Sequence, residues 1–182
     1  MATITEQLVW ASDVSNTGVT NPGNTVSSND SRNTMAATMD WTFELTNLTY
    51  TPTSITSIKP YFEGRTNGEG GTHVFYHKIL NGSNSELYSE AATVADNEDG
   101  AVQSYATRTT SDGSSAWTEN DINTLRIRLD QIAFLGSATE GQIDHYYIEV
   151  VYNVPDPTAG RIFITSGAVA LHRGMVKMEK LT

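Results

Sequence analysis

The sequence contains no cysteine, few basic residues and no long apolar run. Without cysteine the chain cannot form disulfide bonds, thiolate nucleophiles or thiolate metal sites. No stretch approaches the roughly 18 apolar residues of a membrane-spanning helix, and residues 1–6 lack the basic and apolar regions of a secretory signal. Lysine and arginine number 11 against 21 aspartate and glutamate, a net charge of −10. We therefore expect no nucleic-acid binding and no membrane insertion.

Three polar residue types fill much of the chain instead. Threonine (25), serine (16) and asparagine (13) together occupy 54 of the 182 positions. Threonine suits pleated strands, whereas serine and asparagine suit turns. The composition therefore predicts many strands joined by polar loops, and the length suits one sizeable domain with an appendage.

Alternation of apolar and polar residues predicts where several strands lie. Trp41, Phe43 and Leu45 alternate with polar residues, which is typical of a half-buried strand. The segments 72–80 and 86–94 flank an Asn-Gly dipeptide, which predicts a hairpin. On the first of these, we expect one side to carry Val74, Tyr76 and Leu80 and the other His73, Phe75, His77 and Ile79.

The segment 115–152 has the clearest local pattern. Thr118 with Asp121 three residues later predicts the N-cap of a helical turn. The strand at 125–130 then alternates strictly, with Leu125, Ile127 and Leu129 facing inward and Arg126, Arg128 and Asp130 outward. A second strand at 142–152 has Tyr146, Ile148, Val150 and Tyr152 on its more apolar face. Strands at this spacing, joined by polar turns, indicate an antiparallel sandwich.

Two parts of this segment resemble a known family. They are the segment from Ser115 to Leu129, with its Trp117-Thr-Glu-Asn-Asp-Ile-Asn-Thr-Leu125 turn, and the later strand from Ile143 to Tyr152. They are similar to the closing part of a domain in structural proteins of tailed bacteriophages. The resemblance implies an all-β fold, an antiparallel jelly-roll-like β-sandwich with extended N- and C-terminal segments.

The same resemblance implies a function. The chain would be a structural component of a bacteriophage virion, such as a capsid decoration, head accessory or tail-associated protein, acting through protein–protein contacts. Its partners would be other virion proteins and further copies of itself, for which a trimer is a suitable symmetry. It would be located in the virion after synthesis in the host cytoplasm.

We expect three regions along the chain. Residues 1–38 would hold an N-terminal strand at 3–10 and a polar wrapping segment, because 11–38 contains few apolar residues. Residues 39–153 would form the sandwich. Residues 154–182 would form a linker and C-terminal docking strands at 160–171 and 174–181.

Charge sets the C-terminal region apart. Residues 161–182 carry four basic residues and one acidic residue, a balance of +3, so the other 7 basic and 20 acidic residues give −13. These strands could extend the same domain, or they could form an arm that adds strands to an acidic neighbour. The partner-docking candidates are Arg161, Ile162, Ile164, Val169, Leu171, Arg173, Met175, Lys177, Met178 and Lys180.

No residue pattern points to a reaction or a cofactor. His73 and His77 would lie about 13 Å apart on one side of a strand, too far to share a metal ion, so we expect exposed or interface histidines. The acidic residues Asp96, Glu98 and Asp99 fit a hairpin turn better than a calcium loop. The Gly-x-Ser-x-Gly pattern of a serine nucleophile is absent. We expect no enzyme activity, no metal and no cofactor.

Aromatic residues support an alternative function, a glycan-binding adhesin domain of a tail fibre or head spike. A non-viral carbohydrate-binding module is a further alternative. Sandwich domains can bind sugars by stacking them on exposed rings, and the candidates are Trp10, Trp41, Trp117, Tyr146 and Tyr147. Strand alternation, however, gives each of them a core or rim position.

Overall fold

A computed structural model describes residues 1–27, 31–66, 71–95, 101–136, 140–155, 162–165 and 168–171. The strands are β1 Ala2–Thr20, β2 Thr34–Leu45, β3 Ser54–Thr66, β4 Thr72–Leu80, β5 Glu86–Ala95, β6 Ala101–Ser104, β7 Arg126–Leu135, β8 Gly141–Val154, β9 Ile162–Thr165 and β10 Ala168–Leu171. A 3-10 helix spans Pro22–Thr25, and helix α1 spans Glu119–Asn123. No helix in these residues is long and apolar enough to cross a membrane.

Eight strands form one antiparallel sheet in the order β5-β4-β7-β2-β1-β8-β3-β6. Strand β1 joins its two halves, because residues 2–9 pair with β8 and residues 10–20 pair with β2. The sheet curls, so that Phe62 of β3 contacts Phe75 of β4 with ring centroids 5.4 Å apart. The predicted all-β, antiparallel fold is confirmed, while jelly-roll connectivity and sandwich packing stay predictions.

The core follows the alternation seen in the sequence. The inward residues of β7 and the apolar face of β8 are buried, as predicted. Burying each large apolar side chain stabilises the fold by roughly 1.5–3 kcal/mol. The largest fully buried side chains include Trp41, Tyr146, Tyr152, Phe43, Phe62, Phe75, Leu8 and Met35.

Helix α1 begins with the predicted cap. The Asp121 backbone N–H donates to Thr118 Oγ1 over 3.2 Å, and the Thr118 N–H donates to Asp121 Oδ2 over 2.9 Å. This reciprocal pair satisfies N–H groups that a helix N-terminus leaves without partners. The cap positions Ile122 and the preceding Trp117, and both side chains are buried.

The expected polar wrapping segment at 11–38 is wrong over much of its length. Strand β1 continues to Thr20 and pairs with β2, with three register irregularities that bend it. Its side chains are mostly exposed, so polar residues suit this strand as well as they suit a loop. Asp13 anchors it, because the indole N–H groups of Trp10 and Trp41 donate to Asp13 Oδ1 over 2.9 and 2.8 Å.

The C-terminal region contains a hairpin rather than one continuous strand at 160–171. Strands β9 and β10 pair antiparallel, with Ile162 opposite Leu171 and Ile164 opposite Val169. Within the described strands they form a two-stranded sheet separate from the eight-stranded one. The strand predicted at 174–181 lies outside the described residues, and the division into three regions stays a prediction.

Candidate functional site

Most of the aromatic residues considered for sugar stacking lie in the core. Trp41, Trp117 and Tyr146 are buried, as strand alternation predicted. Tyr147 lies on the outer side of β8, where its ring stacks on Tyr61 with centroids 4.9 Å apart and an 11° interplanar angle. His145 lies 4.8 Å from the Tyr147 ring on the same strand. With two close neighbours, the Tyr147 ring offers little open face to a ligand.

Two other tyrosines carry the exposed aromatic rings in the described part of the chain. Tyr50 is 57% exposed and Tyr76 is 43% exposed. Tyr50 lies beside an apolar groove of about 520 Å³, lined by Ala2, Ile4, Thr51, Val154 and Pro155. That groove presents few hydrogen-bonding side chains. Tyr76 lies on β4 among charged residues and is therefore the better candidate for contacting a polar ligand.

Cross-strand register places Tyr76 in a row of polar residues. Tyr76 of β4 is opposite Asp130 of β7, which is opposite Asp40 of β2. In the next row Lys78 is opposite Arg128, which is opposite Thr42. Successive strand residues point to opposite faces, so these side chains lie on the face away from the core. We call this surface the polar face, consisting of Tyr76, Lys78, Arg128, Asp130, Asp40 and Thr42.

The charged side chains of the polar face form one connected row. Arg128 Nε donates to Asp40 Oδ1 over 3.0 Å and Arg128 Nη2 donates to Asp40 Oδ2 over 2.6 Å. Arg128 Nε also lies 2.6 Å from Asp130 Oδ1, and Lys78 Nζ donates to Asp130 Oδ2 over 2.5 Å. The hydrogen bonds that Arg128 donates to Asp40 raise the pKa of its guanidinium, which therefore stays charged. Forked pairs of this kind hold both partners in a fixed orientation.

The Arg128–Asp40 pair is oriented yet accessible to solvent, whereas Lys78 and Asp130 are only 21% and 20% exposed. The side chains of Arg128 and Asp40 are 39% and 47% exposed. At such exposure an ion pair adds less than about 1 kcal/mol to stability, because water screens it. The row is therefore better suited to presenting hydrogen-bonding groups than to holding the fold together.

A groove of about 300 Å³ lies at the Asp40–Arg128 pair. This volume is at the lower end of small-molecule binding sites. Arg126 Nη1 donates to Asn84 Oδ1 over 2.9 Å and so orients Asn84, which lines the groove. The remaining lining residues are Val14, Ser15, Thr42 and Leu80.

The histidines of β4 are in the core, so the expected exposed or interface positions are wrong. Alternation separated the two sides of β4 correctly, but the side with His73, Phe75 and His77 is the buried one. His77 Nε2 lies 2.5 Å from the Tyr146 hydroxyl oxygen, and its ring stacks on Tyr105. Burial lowers the pKa of His73 to about 4 and that of His77 to about 3.

No group of three His, Asp or Glu side chains in the described ranges is arranged to hold a metal ion. Residues 96–100, with the acidic turn, lie outside those ranges. Four of the ten docking candidates are in the C-terminal hairpin, namely Ile162, Ile164, Val169 and Leu171. The other six lie outside the described residues: Arg161, Arg173, Met175, Lys177, Met178 and Lys180.

Strand alternation in the sequence predicts part of the polar face. Alternation placed Arg128 and Asp130 outward, which is confirmed by their exposure. It placed Tyr76 on the other side of β4 from the histidines. It assigned no function to Tyr76 or to Asp40. The signal that could have found them is the pairing of β4, β7 and β2, which brings together residues far apart in sequence.

Comparisons with known proteins add little to this picture. No protein-family model matches the sequence, and no curated protein matches it. A solved structure described as "CBM4 structure and function" is similar over 67% of this chain and 72% of its own, with 10% sequence identity and a TM-score of 0.44. Similarity at this level leaves the function to be inferred from the chain's own residues. The resemblance to phage structural proteins stays a prediction.

Proposed function

We propose that this chain is a non-catalytic domain that binds a glycan on its polar face. One observation carries the proposal: the exposed ring of Tyr76 lies beside an oriented row of charged side chains, Lys78, Asp130, Arg128 and Asp40. Sugar rings have apolar C–H faces and hydroxyl-bearing edges. An open aromatic ring suits the former, and fixed carboxylate and guanidinium groups suit the latter.

The surroundings of Tyr76 support stacking. Its neighbour on β5 is Ala91, a small residue. Lys78 Nζ lies over one face of the ring, 5.9 Å from its centroid, so a sugar would stack on the other face. On the β7 side its register partner is Asp130, whose Oδ2 accepts from Lys78 and whose Oδ1 lies 2.6 Å from Arg128 Nε. A sugar stacked on Tyr76 would direct a hydroxyl group toward the Lys78–Asp130 pair.

The carboxylates support binding rather than hydrolysis. Asp40 accepts hydrogen bonds from Arg128 Nε and Nη2, and Asp130 contacts both Arg128 and Lys78. A glycosidase needs one protonated carboxylic acid and one carboxylate available to the sugar or a water. Two carboxylates paired with cations provide neither the acid nor the open base.

A glycan array probed with the intact chain tests this function. We expect binding by the wild type and at least tenfold weaker binding by Tyr76→Ala, which removes the stacking ring from an exposed position. Tyr50→Ala is the matched control and should bind like the wild type. Circular dichroism would check that both variants fold. If the wild type binds no glycan, or if Tyr76→Ala binds equally well, the proposal is wrong.

The second candidate is the predicted role as a structural component of a phage virion. It is favoured by the β9–β10 hairpin, which pairs with itself. An isolated two-stranded hairpin is marginally stable in water, so it benefits from a surface to pack on. The +3 balance of residues 161–182 suits an acidic surface, such as the −13 remainder of a second copy.

Deleting residues 156–182 tests this second role. We expect the shortened chain to keep its circular dichroism spectrum and to lose self-association in light scattering. Unfolding of the shortened chain would instead show that the C-terminal strands belong to the same domain. An unchanged molecular mass would show that they do not mediate self-association.

A further inference from the structure

We infer that the ligand of the polar face is an uncharged oligosaccharide of at least three sugar units that lies across the strands. This inference rests on the proposed glycan-binding function and specifies the class of glycan. Two properties of the site lead to it. One is the distance between its stacking and hydrogen-bonding parts, and the other is its balance of charge.

The site is longer than one sugar. Tyr76 is on β4, Arg128 on β7, Asp40 on β2 and the groove residue Ser15 on β1. Neighbouring strands are about 4.8 Å apart, so Tyr76 and Ser15 are separated by roughly 14 Å across three strand spacings. A pyranose ring spans about one strand spacing, so a ring stacked on Tyr76 cannot also occupy the groove.

The hydrogen-bonding groups are distributed along this path. The first unit would stack on Tyr76, the second would lie over Asp130 and Arg128, and the third would enter the groove at Asp40. Ser15, which is exposed, supplies a hydroxyl group to that groove, and Thr42, which is buried, also lines it. Because the strands hold these residues at fixed spacing, a chain of linked sugars loses less freedom per contact than separate sugars would.

The charges of the face are matched. Within the polar face Lys78 and Arg128 give +2, and Asp40 and Asp130 give −2. The adjoining Arg126, Glu44 and Glu86 bring the balance to −1. Each of these cations contacts a carboxylate. Lys78 Nζ lies 3.8 Å from Glu86 Oε2 and 2.5 Å from Asp130 Oδ2. Arg126 Nη2 lies 2.9 Å from Glu44 Oε1.

An acidic sugar would therefore have to compete with these carboxylates for their cations. It would also approach a chain whose net charge is −10. Neutral hydroxyl groups both donate and accept, so they can bind beside a carboxylate–guanidinium pair without displacing either partner. The polar face therefore favours uncharged sugars over uronic or sialic acids.

Isothermal titration calorimetry on the intact chain tests this inference. The probes are gluco- and manno-oligosaccharides of one to six units, with oligogalacturonides of the same lengths as the acidic series. We expect affinity to rise at least tenfold from one unit to three and then level off. Oligogalacturonides should bind at least tenfold more weakly than the best neutral series of equal length.

Ser15→Leu fills an exposed groove position without adding an aromatic ring or a hydrogen-bonding group, and it leaves the core unchanged. We expect it to remove the gain from the third unit while affinity for shorter sugars stays the same. Affinity independent of length, or tighter binding of oligogalacturonides, would overturn this inference while leaving glycan binding intact. Failure of every probe, or binding that Tyr76→Ala does not weaken, would overturn the proposed function itself.

Discussion

Two histidines buried in the core predict that acid destabilises this fold. His73 and His77 are both buried on the inner side of β4. Desolvation is the main cause that lowers their pKa values to about 4 and about 3, and the nearby Arg108 lowers that of His77 further. In the unfolded chain each imidazole titrates near 6.5. The folded state thus favours the neutral rings, and the unfolded state takes up protons first.

The sign and size of the effect follow from these values. The two neutral imidazoles make their full contribution to the free energy of unfolding above pH 6.5. This contribution is lost as the pH falls from 6.5 toward about 4 for His73 and about 3 for His77. At pH 5.5, one pH unit below the unfolded value, each histidine costs about 1.4 kcal/mol, so the pair costs about 3 kcal/mol. Carboxyl groups ordinarily titrate near 4, below this pH window.

Urea unfolding at pH 8 and pH 5.5 measures this loss. His77→Gln keeps a group that can hydrogen-bond the Tyr146 hydroxyl but cannot be protonated, so we expect it to reduce the loss to about 1.4 kcal/mol. His145→Gln is the control, because His145 is only partly buried and Asp144 and Glu63 partly offset its desolvation. It should change the loss less than His77→Gln does.

Two results would refute this reasoning. One is an unfolding free energy that is the same at both pH values, which would mean that the two imidazoles are accessible to water in the native state. The other is an unchanged acid loss in His77→Gln, which would place the titrating group elsewhere.

Four further substitutions test the packing and the helix cap, each measured by urea unfolding. Trp117→Ala should cost about 3–5 kcal/mol, because the indole is buried at the α1 end of the sheet. Thr118→Ala should cost about 0.5–2 kcal/mol through loss of the helix cap. Gly141→Ala should cost about 1–3 kcal/mol, because its Cβ would lie 2.0 Å from His73 Nδ1, whereas Gly23→Ala should cost little, since its nearest contact would be 3.6 Å. Equal stabilities for the two glycine variants would contradict the packing at Gly141.

Local patterns were sufficient to predict much of the sheet. The β4–β5 hairpin follows from an Asn-Gly turn between alternating segments, and α1 follows from Thr118 and Asp121. The inward and outward residues of β7 follow from strict alternation. In each case the signal lies within about ten neighbouring residues, where turn chemistry and burial act directly on the chain.

The second half of β1 could not be predicted from its own residues. Most side chains between Ala11 and Thr20 are exposed, so burial imposes no apolar alternation there. The strand forms because β2 pairs with it and because Asp13 accepts hydrogen bonds from Trp10 and Trp41. Both stabilising contacts come largely from residues that are distant in sequence.

The polar face could be predicted only in part for the same reason, because it is formed by residues that are distant in sequence. The outward direction of Arg128 and Asp130 follows from β7 alone, but their neighbours do not. Tyr76 and Asp40 become adjacent to them only when β7 pairs with β4 on one side and β2 on the other. The burial of His73 and His77 depends likewise on the curl of the sheet, which brings Tyr146 of β8 onto β4.

The central claim is that the polar face binds a glycan, and backbone amide chemical shifts measured by nuclear magnetic resonance test it most directly. The chain would be titrated with the gluco- and manno-hexasaccharides. The account predicts shifts concentrated at Tyr76, Lys78, Arg128, Asp130 and Asp40, with the amides around Tyr50 unaffected. Shifts centred on Tyr50 and Ile4, or no shifts at saturating hexasaccharide, would contradict it.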